Sequence, residues 1–288
     1  MFEKALVATD LSPASDHLLE CAGQLGALGV RDVTLLHVAE TRFSVGLDES
    51  LALREEPELA TRASRLREHG YKVEVELARG IAWFEIVDAA RRKGSHLIVL
   101  ASHGRGAIAE SLLGGTAARV AENSPIPVLV LRMGLMDKAG GRYCALRFAN
   151  ALDYVLLPTD FSGAARRAFD VVRGFCPSAH RVLMLHVNQE IVWEHLAPEI
   201  PAAFEEEDRN RLADHVEALR NAGCPDARFE IARGHGRKVI LERAASEEVS
   251  LIVLGTRGWS PLKEVVLGST AHALVRHARA PVLLVPVW

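Results

Sequence analysis

The chain contains few cysteines and no long apolar run, and its charges nearly balance. Four cysteines among 288 residues show no C-x-x-C spacing, which excludes the common sequence motif of a redox pair. No apolar run approaches the roughly 20 residues needed to cross a bilayer. A net charge of −3 means that the chain has no excess of basic residues with which to bind nucleic acid. We therefore expect no membrane partner and no nucleic-acid partner.

The beginning of the chain also lacks a secretory signal. Residues Met1–Ala5 lead directly into the first predicted strand, without a charged n-region or a cleavage site. Cys21 lies on an apolar helix face, which is typical of a buried, reduced thiol. These features predict a cytoplasmic protein.

The most informative pattern is the set of glycines between residues 255 and 269. Gly255, Gly258, Gly268 and Ser269 follow a buried apolar run at the spacing G-x2-G-x9-G-S. Glycine tolerates positive φ and lets a ligand approach the backbone closely. A helix that begins after Gly268-Ser269 presents unpaired N–H groups and a positive dipole end to an anion. The pattern suits a phosphate chain, although it is neither the Walker A motif nor the G-x-G-x-x-G dinucleotide motif.

A weaker copy of this pattern occurs 154 residues earlier in the chain. Ala101 and Gly115 stand there at the positions of Gly255 and Ser269. A Thr-Asp-x-Ser segment and a Leu-His-Val segment also recur in each half, so the chain is a tandem duplication rather than a short-period solenoid. We predict a first domain over residues 1–137, a linker over 138–152 and a second domain over 153–288, each domain being of ordinary size.

Short apolar runs alternate with helical patterns in each half. The order β-α-β-α-β-α-β-α-β implies right-handed crossovers and an open, doubly wound α/β fold with a parallel sheet. The central strands show no polar alternation, as expected for strands covered on both faces. In the first half the predicted strands are Ala5–Thr9, Val33–Val38, Lys72–Leu77, Leu97–Ala101 and Val128–Leu131, and the predicted helices begin at Pro13 or span Glu49–His69, Ala82–Lys93 and Thr116–Asn123.

These segments together resemble the universal stress protein family in its tandem two-domain form. The resemblance covers nearly the whole chain and is carried by the Thr-Asp-x-Ser strand ends, the Leu-His-Val strands and G-x2-G-x9-G-S. It implies two five-stranded, Rossmann-like parallel sheets of strand order 3-2-1-4-5, with helices on both faces, and ATP binding where the glycine motif is intact. In that order the sheet reverses between strands 1 and 4, which is where open α/β sheets bind ligands.

The resemblance places the predicted ATP site in the second domain. Asp160 is expected to accept a hydrogen bond from the ribose or the adenine amine, or else to cap the next helix, as Asp10 would in the first domain. Val187 would meet the adenine edge through its backbone. Arg257 and Lys263 could neutralise phosphate charge. The complete predicted binding set is Pro158, Thr159, Asp160, Val187, Leu254, Gly255, Arg257, Gly258, Gly268, Ser269 and Thr270.

Other polar residues have simpler interpretations. His37 and His186, each on the second strand of its half, are expected to be satisfied core histidines, and no histidines show metal-ligand spacing. The acidic run Glu205–Asp208 suits the first turn of a helix. A metal ion, if one is bound, is expected as Mg²⁺ or Mn²⁺ carried by the ATP phosphates.

No catalytic residues are assigned. The sequence lacks the G-x-S-x-G nucleophile elbow and the loops that mark ATP pyrophosphatases and nucleotidyl transferases of similar architecture. The leading prediction is an ATP-binding stress-response regulatory protein that acts on an unknown protein partner. Two alternatives stay open, a nucleotide-independent interaction scaffold and, less favoured, a slow ATPase.

Each half ends in a short apolar strand, Pro127–Leu131 in the first and Pro281–Val287 in the second. In the expected strand order these strands lie at a sheet edge, and exposed apolar edges are normally covered. Single-domain members of the family commonly dimerise through this strand. We therefore expect the two halves to form an intramolecular pseudo-dimer, and a homodimer of the whole chain is left open.

Overall fold

The computed structural model describes residues 2–22, 24–39, 48–102, 113–131, 151–188, 199–258 and 267–287. The chain divides into two compact units, residues 1–149 and residues 150–287. Nearly all of the predicted linker lies outside the described residues, so its bounds stay a prediction. In the described part of the chain, no helix has the length and apolarity required to cross a membrane.

The first unit contains five parallel strands in the order β3-β2-β1-β4-β5. This confirms the predicted order 3-2-1-4-5, and each predicted boundary lies within two residues of the observed one. The strands are β1 (Lys4–Thr9), β2 (Asp32–Ala39), β3 (Lys72–Arg79), β4 (Leu97–Ala101) and β5 (Val128–Leu131), and the helices are α1 (Pro13–Ala22), α2 (Asp48–Glu68), α3 (Ala82–Arg92) and α4 (Gly115–Asn123), with a 3₁₀ turn at Leu25–Leu28.

The second unit repeats this arrangement in the order β8-β7-β6-β9-β10, again with parallel strands. The duplication inferred from the sequence therefore extends to strand order. The strands are β6 (Tyr154–Thr159), β7 (Arg181–Asn188), β8 (Asp226–Arg233), β9 (Leu251–Gly255) and β10 (Val282–Val285), and the helices are α5 (Gly163–Phe175), α6 (Glu199–Asn221), α7 (Gly236–Ser246) and α8 (Ser269–His277).

The burial of the central strands explains their unbroken apolar sequence. Every residue of Leu97–Leu100 and Leu251–Leu254 is at most 5% exposed. Helices cover both faces of such a strand, so a polar side chain on either face would be buried. The edge strand β3 is more exposed and carries charged residues at alternate positions, Lys72, Glu74 and Glu76.

Two neighbouring strands of the second unit end at the point where the strand order reverses. β6 pairs with β7 on one side and with β9 on the other. The pairing of β6 with β7 ends at Thr159 and His186, whereas β7 continues to Asn188. The edge of β7 that faces β6 therefore has no partner from β6 at Val187. The strand order reverses on the other side of β6, between β6 and β9, and open parallel sheets bind ligands outside the carboxyl ends of the strands at such a reversal.

Helix α6 begins earlier than the acidic run indicates. It starts at Glu199, so the prediction that Glu205–Asp208 forms the first turn is wrong. Glu205 instead pairs with Arg233 of β8 at 2.8 Å, and Asp208 faces His186 of β7 at 3.5 Å. The acidic run therefore makes tertiary contacts and does not lie at the N-terminus of the helix, where it would interact with the helix dipole.

Candidate functional site

The structure brings the ends of β6 and β9 into contact. A Cβ added at Gly258 would lie 2.5 Å from the Asp160 carboxylate oxygen Oδ2. Asp160 follows β6 and Gly258 follows β9, so these two predicted binding residues touch across the point of strand reversal. Asp160 and Gly258 are both exposed, so this point of the second unit is accessible to solvent.

A tight turn after β6 sets the position of the Asp160 carboxylate. The Thr159 hydroxyl accepts from the Phe161 N–H at 3.1 Å, and Asp160 Oδ1 accepts from the Ser162 N–H at 3.0 Å. Phe161 has a φ of 59°, which is unusual for a side chain of this size. Strain of this kind persists where the surrounding structure enforces it, often at functional sites.

The helix after this turn is capped by serine and not by aspartate. Ser162 is the N-cap of α5, and its hydroxyl accepts from the Ala165 N–H. In the first unit, the Ser12 hydroxyl accepts from the Ser15 N–H at the start of α1. The expectation that Asp10 caps the first helix is therefore wrong, and the corresponding alternative for Asp160 fails for the same reason.

The two units differ in what holds the aspartate. Oδ1 of Asp10 accepts from the hydroxyls of Ser12 and Ser15, each at 2.6 Å. Ala165 stands at the position of Ser15 in the second unit, so the second hydroxyl is missing there. Asp10 is half-buried and Asp160 is exposed. Asp160 is therefore the more accessible of the two aspartates.

The two ends of the loop after β9 are joined by a hydrogen bond. The Thr256 N–H donates to the Val285 carbonyl at 2.9 Å, and the Gly268 N–H donates to the Thr256 carbonyl at 2.7 Å. In the first unit Ser102 and Gly114 make the same bonds, to Leu131 at 2.9 Å and between themselves at 2.8 Å. The described ends of the two loops are thus closed by the same hydrogen bonds in both units. Lys263 lies outside the described residues.

Close packing, and not positive φ, explains the three motif glycines. None of Gly255, Gly258 and Gly268, all of which the structure describes, has a positive φ. A Cβ at Gly255 would lie 2.5 Å from the Cβ of Ala164 and 2.7 Å from its carbonyl carbon, so this glycine admits helix α5. A Cβ at Gly268 would lie 3.3 Å from the Thr256 carbonyl oxygen. Gly255 therefore allows the helix to pack, whereas Gly258 and Gly268 allow the close approach of Asp160 and of the Thr256 carbonyl.

Helix α8 begins where the predicted phosphate end of the site lies. Its N-cap is Gly268, which supplies no side-chain cap, and Ser269 is the first helical residue. Ser269 is exposed, and Thr270 and Arg257 are half-buried. A helix start of this kind offers N–H groups and a partial positive charge to an anion. In the first unit, a Cβ at Gly115 would meet no atom within 4 Å, so the hydroxyl is missing there although space exists for it.

Pro158, Leu254 and Val187 occupy less accessible positions. Pro158 pairs with Leu185 inside the sheet, and Leu254 is 5% exposed, so both side chains belong to the core. Val187 is half-buried beyond the end of β6. Only the backbone of these three residues is suited to face a ligand in the crevice.

The comparisons with known proteins agree on one family. The family model described as the universal stress protein family matches residues 1–132 and again residues 152–286. A universal stress protein of Thermus aquaticus is 36% identical over 137 residues, which cover 46% of this chain and 96% of that protein. A universal stress protein of Mycolicibacterium smegmatis is 24% identical, with 97% of this chain and 96% of that protein aligned. The crystal structure of a universal stress protein from Archaeoglobus fulgidus superposes with a TM-score of 0.78 at 22% identity and covers 100% of both chains.

Proposed function

Because the chain belongs to the universal stress protein family, in its two-domain form, we propose that it is a stress-response regulatory protein that binds ATP in its second unit. The observation that carries this proposal is the contact between Asp160 and Gly258 at the strand reversal, beside the start of helix α8. An adenosine group and a phosphate chain need a polar acceptor and an anion site within one crevice. In the second unit, Asp160 would be the acceptor and the start of helix α8 would be the anion site.

Each part of ATP has a suitable counterpart in the crevice. The Asp160 carboxylate would accept from a ribose hydroxyl or the adenine amine, and the backbone of Val187, beyond the end of β6, would meet the adenine edge. The phosphates would lie against Gly258, Gly268 and the Ser269 hydroxyl, where the N–H groups of helix α8 begin. Arg257 would add positive charge.

The residues present fit a metal ion only as a companion of the phosphates. Mg²⁺ usually keeps several waters and binds substrate phosphates with few protein carboxylates. In the described residues, no group of three histidine, cysteine, aspartate or glutamate side chains is arranged to hold a metal ion. Mg²⁺ or Mn²⁺ would supply charge neutralisation there, while Asp160 and Ser269 orient the nucleotide.

We expect the first unit to bind ATP more weakly. It lacks the Ser269 hydroxyl, and a hydrogen bond to a charged group contributes about 1.5–3 kcal/mol, equivalent to about tenfold to a hundredfold in affinity. Its Asp10 is also held by two serine hydroxyls. The presence of Ala101 in place of Gly255 matters less, because the Gly255 contact is with helix α5.

The test compares Gly268→Val with its counterpart Gly114→Val in the first unit. The valine at 268 crowds the Thr256 carbonyl and the start of helix α8, so we expect ATP affinity to fall at least tenfold. Gly114→Val is expected to leave ATP affinity unchanged, and circular dichroism checks that both variants fold. ATP binding at wild-type strength by Gly268→Val would mean that the phosphate site lies elsewhere and would contradict the proposed site. No ATP binding by the wild type would contradict the proposal and favour the interaction scaffold. Turnover of ATP by the wild type would instead favour the slow ATPase.

A further inference from the structure

Two of the four cysteines, far apart in the sequence, meet in the second unit. Cys176 directly follows helix α5, and Cys224 lies in the turn between helix α6 and strand β8. Both residues are fully buried, and both are free thiols. The two thiols are in hydrogen-bond contact with each other. The pair has no C-x-x-C spacing, so the fold alone brings these sulfur atoms together.

The backbone beside the two thiols is also in close contact. Gly223, which precedes Cys224, has a φ of 107°. A Cβ added at Gly223 would lie 3.4 Å from Pro177 Cα and 3.8 Å from the carbonyl carbon of Cys176. Two cysteines can be bridged only where their backbone segments lie near each other, because a disulfide joins Cα atoms about 4.4–6.8 Å apart. The contact between these two turns meets that requirement.

The first unit makes the corresponding contact with different groups. Tyr71 precedes β3 as Cys224 precedes β8, and its hydroxyl accepts from the Gly26 N–H at 2.7 Å. Gly26 lies in the 3₁₀ turn that follows helix α1, as Cys176 follows helix α5. The contact between these two segments is thus common to both units. In the second unit two thiols make it, and two thiols can become covalently linked.

The hydrogen bonds around the two sulfur atoms are unequal. The backbone N–H groups of Val182 and Asp226 donate to the Cys224 sulfur. The Cys176 thiol can donate to the same sulfur or to the Val172 carbonyl oxygen at 3.5 Å. Because donors stabilise a thiolate, Cys224 is the better nucleophile of the two. Burial nevertheless raises the pKa of both thiols, so both are protonated near neutral pH and react slowly.

We propose that Cys176 and Cys224 form a reversible disulfide in the folded protein, with a low-molecular-weight disulfide of the glutathione class as the oxidant. The Cys224 thiolate attacks one sulfur of the oxidant, and the other half leaves as a thiolate. The Cys176 thiolate then attacks the Cys224 sulfur of this mixed disulfide, and the second half leaves. The two leaving thiolates take up the two protons that the cysteines release, so the protein loses two electrons and the oxidant gains two.

Exposed turns give the oxidant a route to the buried pair. Pro177, Gly223 and Pro225 flank the two cysteines and are all exposed. Local opening of these surface turns therefore uncovers the thiols without unfolding the sheet.

The disulfide site is separate from the proposed ATP site. Helix α5 has 13 residues, so Cys176 lies about 20 Å along the helix from the turn that contains Asp160. The inference therefore does not depend on ATP binding. The new bond would close a chain loop that contains β7 and helix α6, and a cross-link of this kind stabilises the folded state by restricting the unfolded chain.

The experiment exposes the folded chain to glutathione buffers of increasing oxidised fraction at about pH 8, where thiol exchange is faster than at neutral pH. It uses the wild type and the double variant Cys21→Ala/Cys144→Ala, in which Cys176 and Cys224 are the remaining cysteines. In both, mass spectrometry should find the two cysteine peptides linked, with two hydrogen atoms lost and full reversal by dithiothreitol. Oxidation should raise the urea midpoint of the second unit by about 1 M.

Cys176→Ala provides the matched control. Its Cys224 can form only a mixed disulfide with glutathione, so the urea midpoint should not rise on oxidation. Absence of the link in the folded wild type, or a link that forms only after unfolding and refolding, would overturn the proposal. A link that lowers the urea midpoint would show that the folded turns do not accommodate the bond and would also contradict it. The wild-type results decide even if the variants do not fold.

Discussion

Single residues account for the different hydrogen bonds to the aspartate that follows the first strand of each unit. Both units have the same aspartate after the first strand and the same loop closure after the fourth. Asp10 is held by the hydroxyls of Ser12 and Ser15, whereas Ala165 replaces the second hydroxyl near Asp160. The second unit thus lacks one hydroxyl that could donate to its aspartate, and Asp160 is more exposed than Asp10.

Ala165→Ser should transfer the first unit's arrangement to the second. The new hydroxyl is expected to donate to Asp160, as Ser15 does to Asp10 at 2.6 Å, and to compete with the nucleotide for the carboxylate. We predict that ATP affinity falls about fivefold, the value of one ordinary hydrogen bond. Titration with ATP measures this, and Ser15→Ala should leave affinity unchanged. Undiminished affinity in a folded Ala165→Ser variant would argue against Asp160 as a ligand group.

The thiols of the second unit make its stability depend on pH. Burial raises the pKa of Cys176 to about 12, with a further contribution from the neighbouring Cys224 thiol. Burial also raises the pKa of Cys224, as does the charge of Asp226. The unfolded thiols ionise near their ordinary pKa of about 9, while the folded thiols stay protonated.

The contribution of these thiols to the free energy of unfolding is therefore fully present below about pH 9. It is lost as the pH rises from there toward 12. Urea unfolding at increasing pH measures the loss. Cys176→Ala should reduce this alkaline decline, because it removes one of the titrating groups. A decline as steep in Cys176→Ala as in the wild type would show that other groups cause it.

At the scale of elements, the packing of helix α5 on β9 explains the first motif glycine. The approach of Ala164 leaves no room for a Cβ at Gly255. In the first unit Ala101 occupies this position, so the corresponding helix packs with a Cβ present. The glycine pattern that indicates a phosphate loop therefore contains one position that the fold requires for a different reason.

Gly255→Ala should destabilise the second unit by about 1–3 kcal/mol, as expected for overpacking between a helix and a strand. Gly174→Ala on the same helix α5 provides the control. A Cβ at Gly174 meets no atom within 4 Å, so the change should stabilise the helix by about 0.5–1 kcal/mol. Urea unfolding measures both variants, and equal stabilities would mean that Ala164 moves aside at no cost.

The sequence was informative about strands and loops because their signals are local. Apolar runs predicted the strands, and the glycine motif with Asp160 predicted which loops meet at the strand reversal, as the Asp160–Gly258 contact confirms. The contact between Gly255 and Ala164 joins residues far apart in the chain and has no local signal. The absence of a Ser15 counterpart at Ala165 was readable from the two aligned copies. The contact of Asp208 with His186 could not be predicted, because the acidic run placed the start of helix α6 too late in the chain.

At the scale of the whole molecule, the proposed ATP site would give unequal roles to two similar units. Each unit has the same strand order and the same loop closure, yet the second alone combines Ser269 with the Asp160–Ala165 arrangement. A chain of this kind is expected to respond to ATP through one unit. The predicted internal pairing of the units through their last strands, and a further homodimer, stay predictions.

Isothermal titration of the intact chain with ATP and Mg²⁺ tests the central claim most directly. One nucleotide should bind strongly per chain, and any binding to the first unit should be weaker by about tenfold or more, since that unit lacks the Ser269 hydroxyl. Two equivalent sites per chain would contradict the proposed asymmetry between the units, and no measurable binding would contradict the ATP site itself.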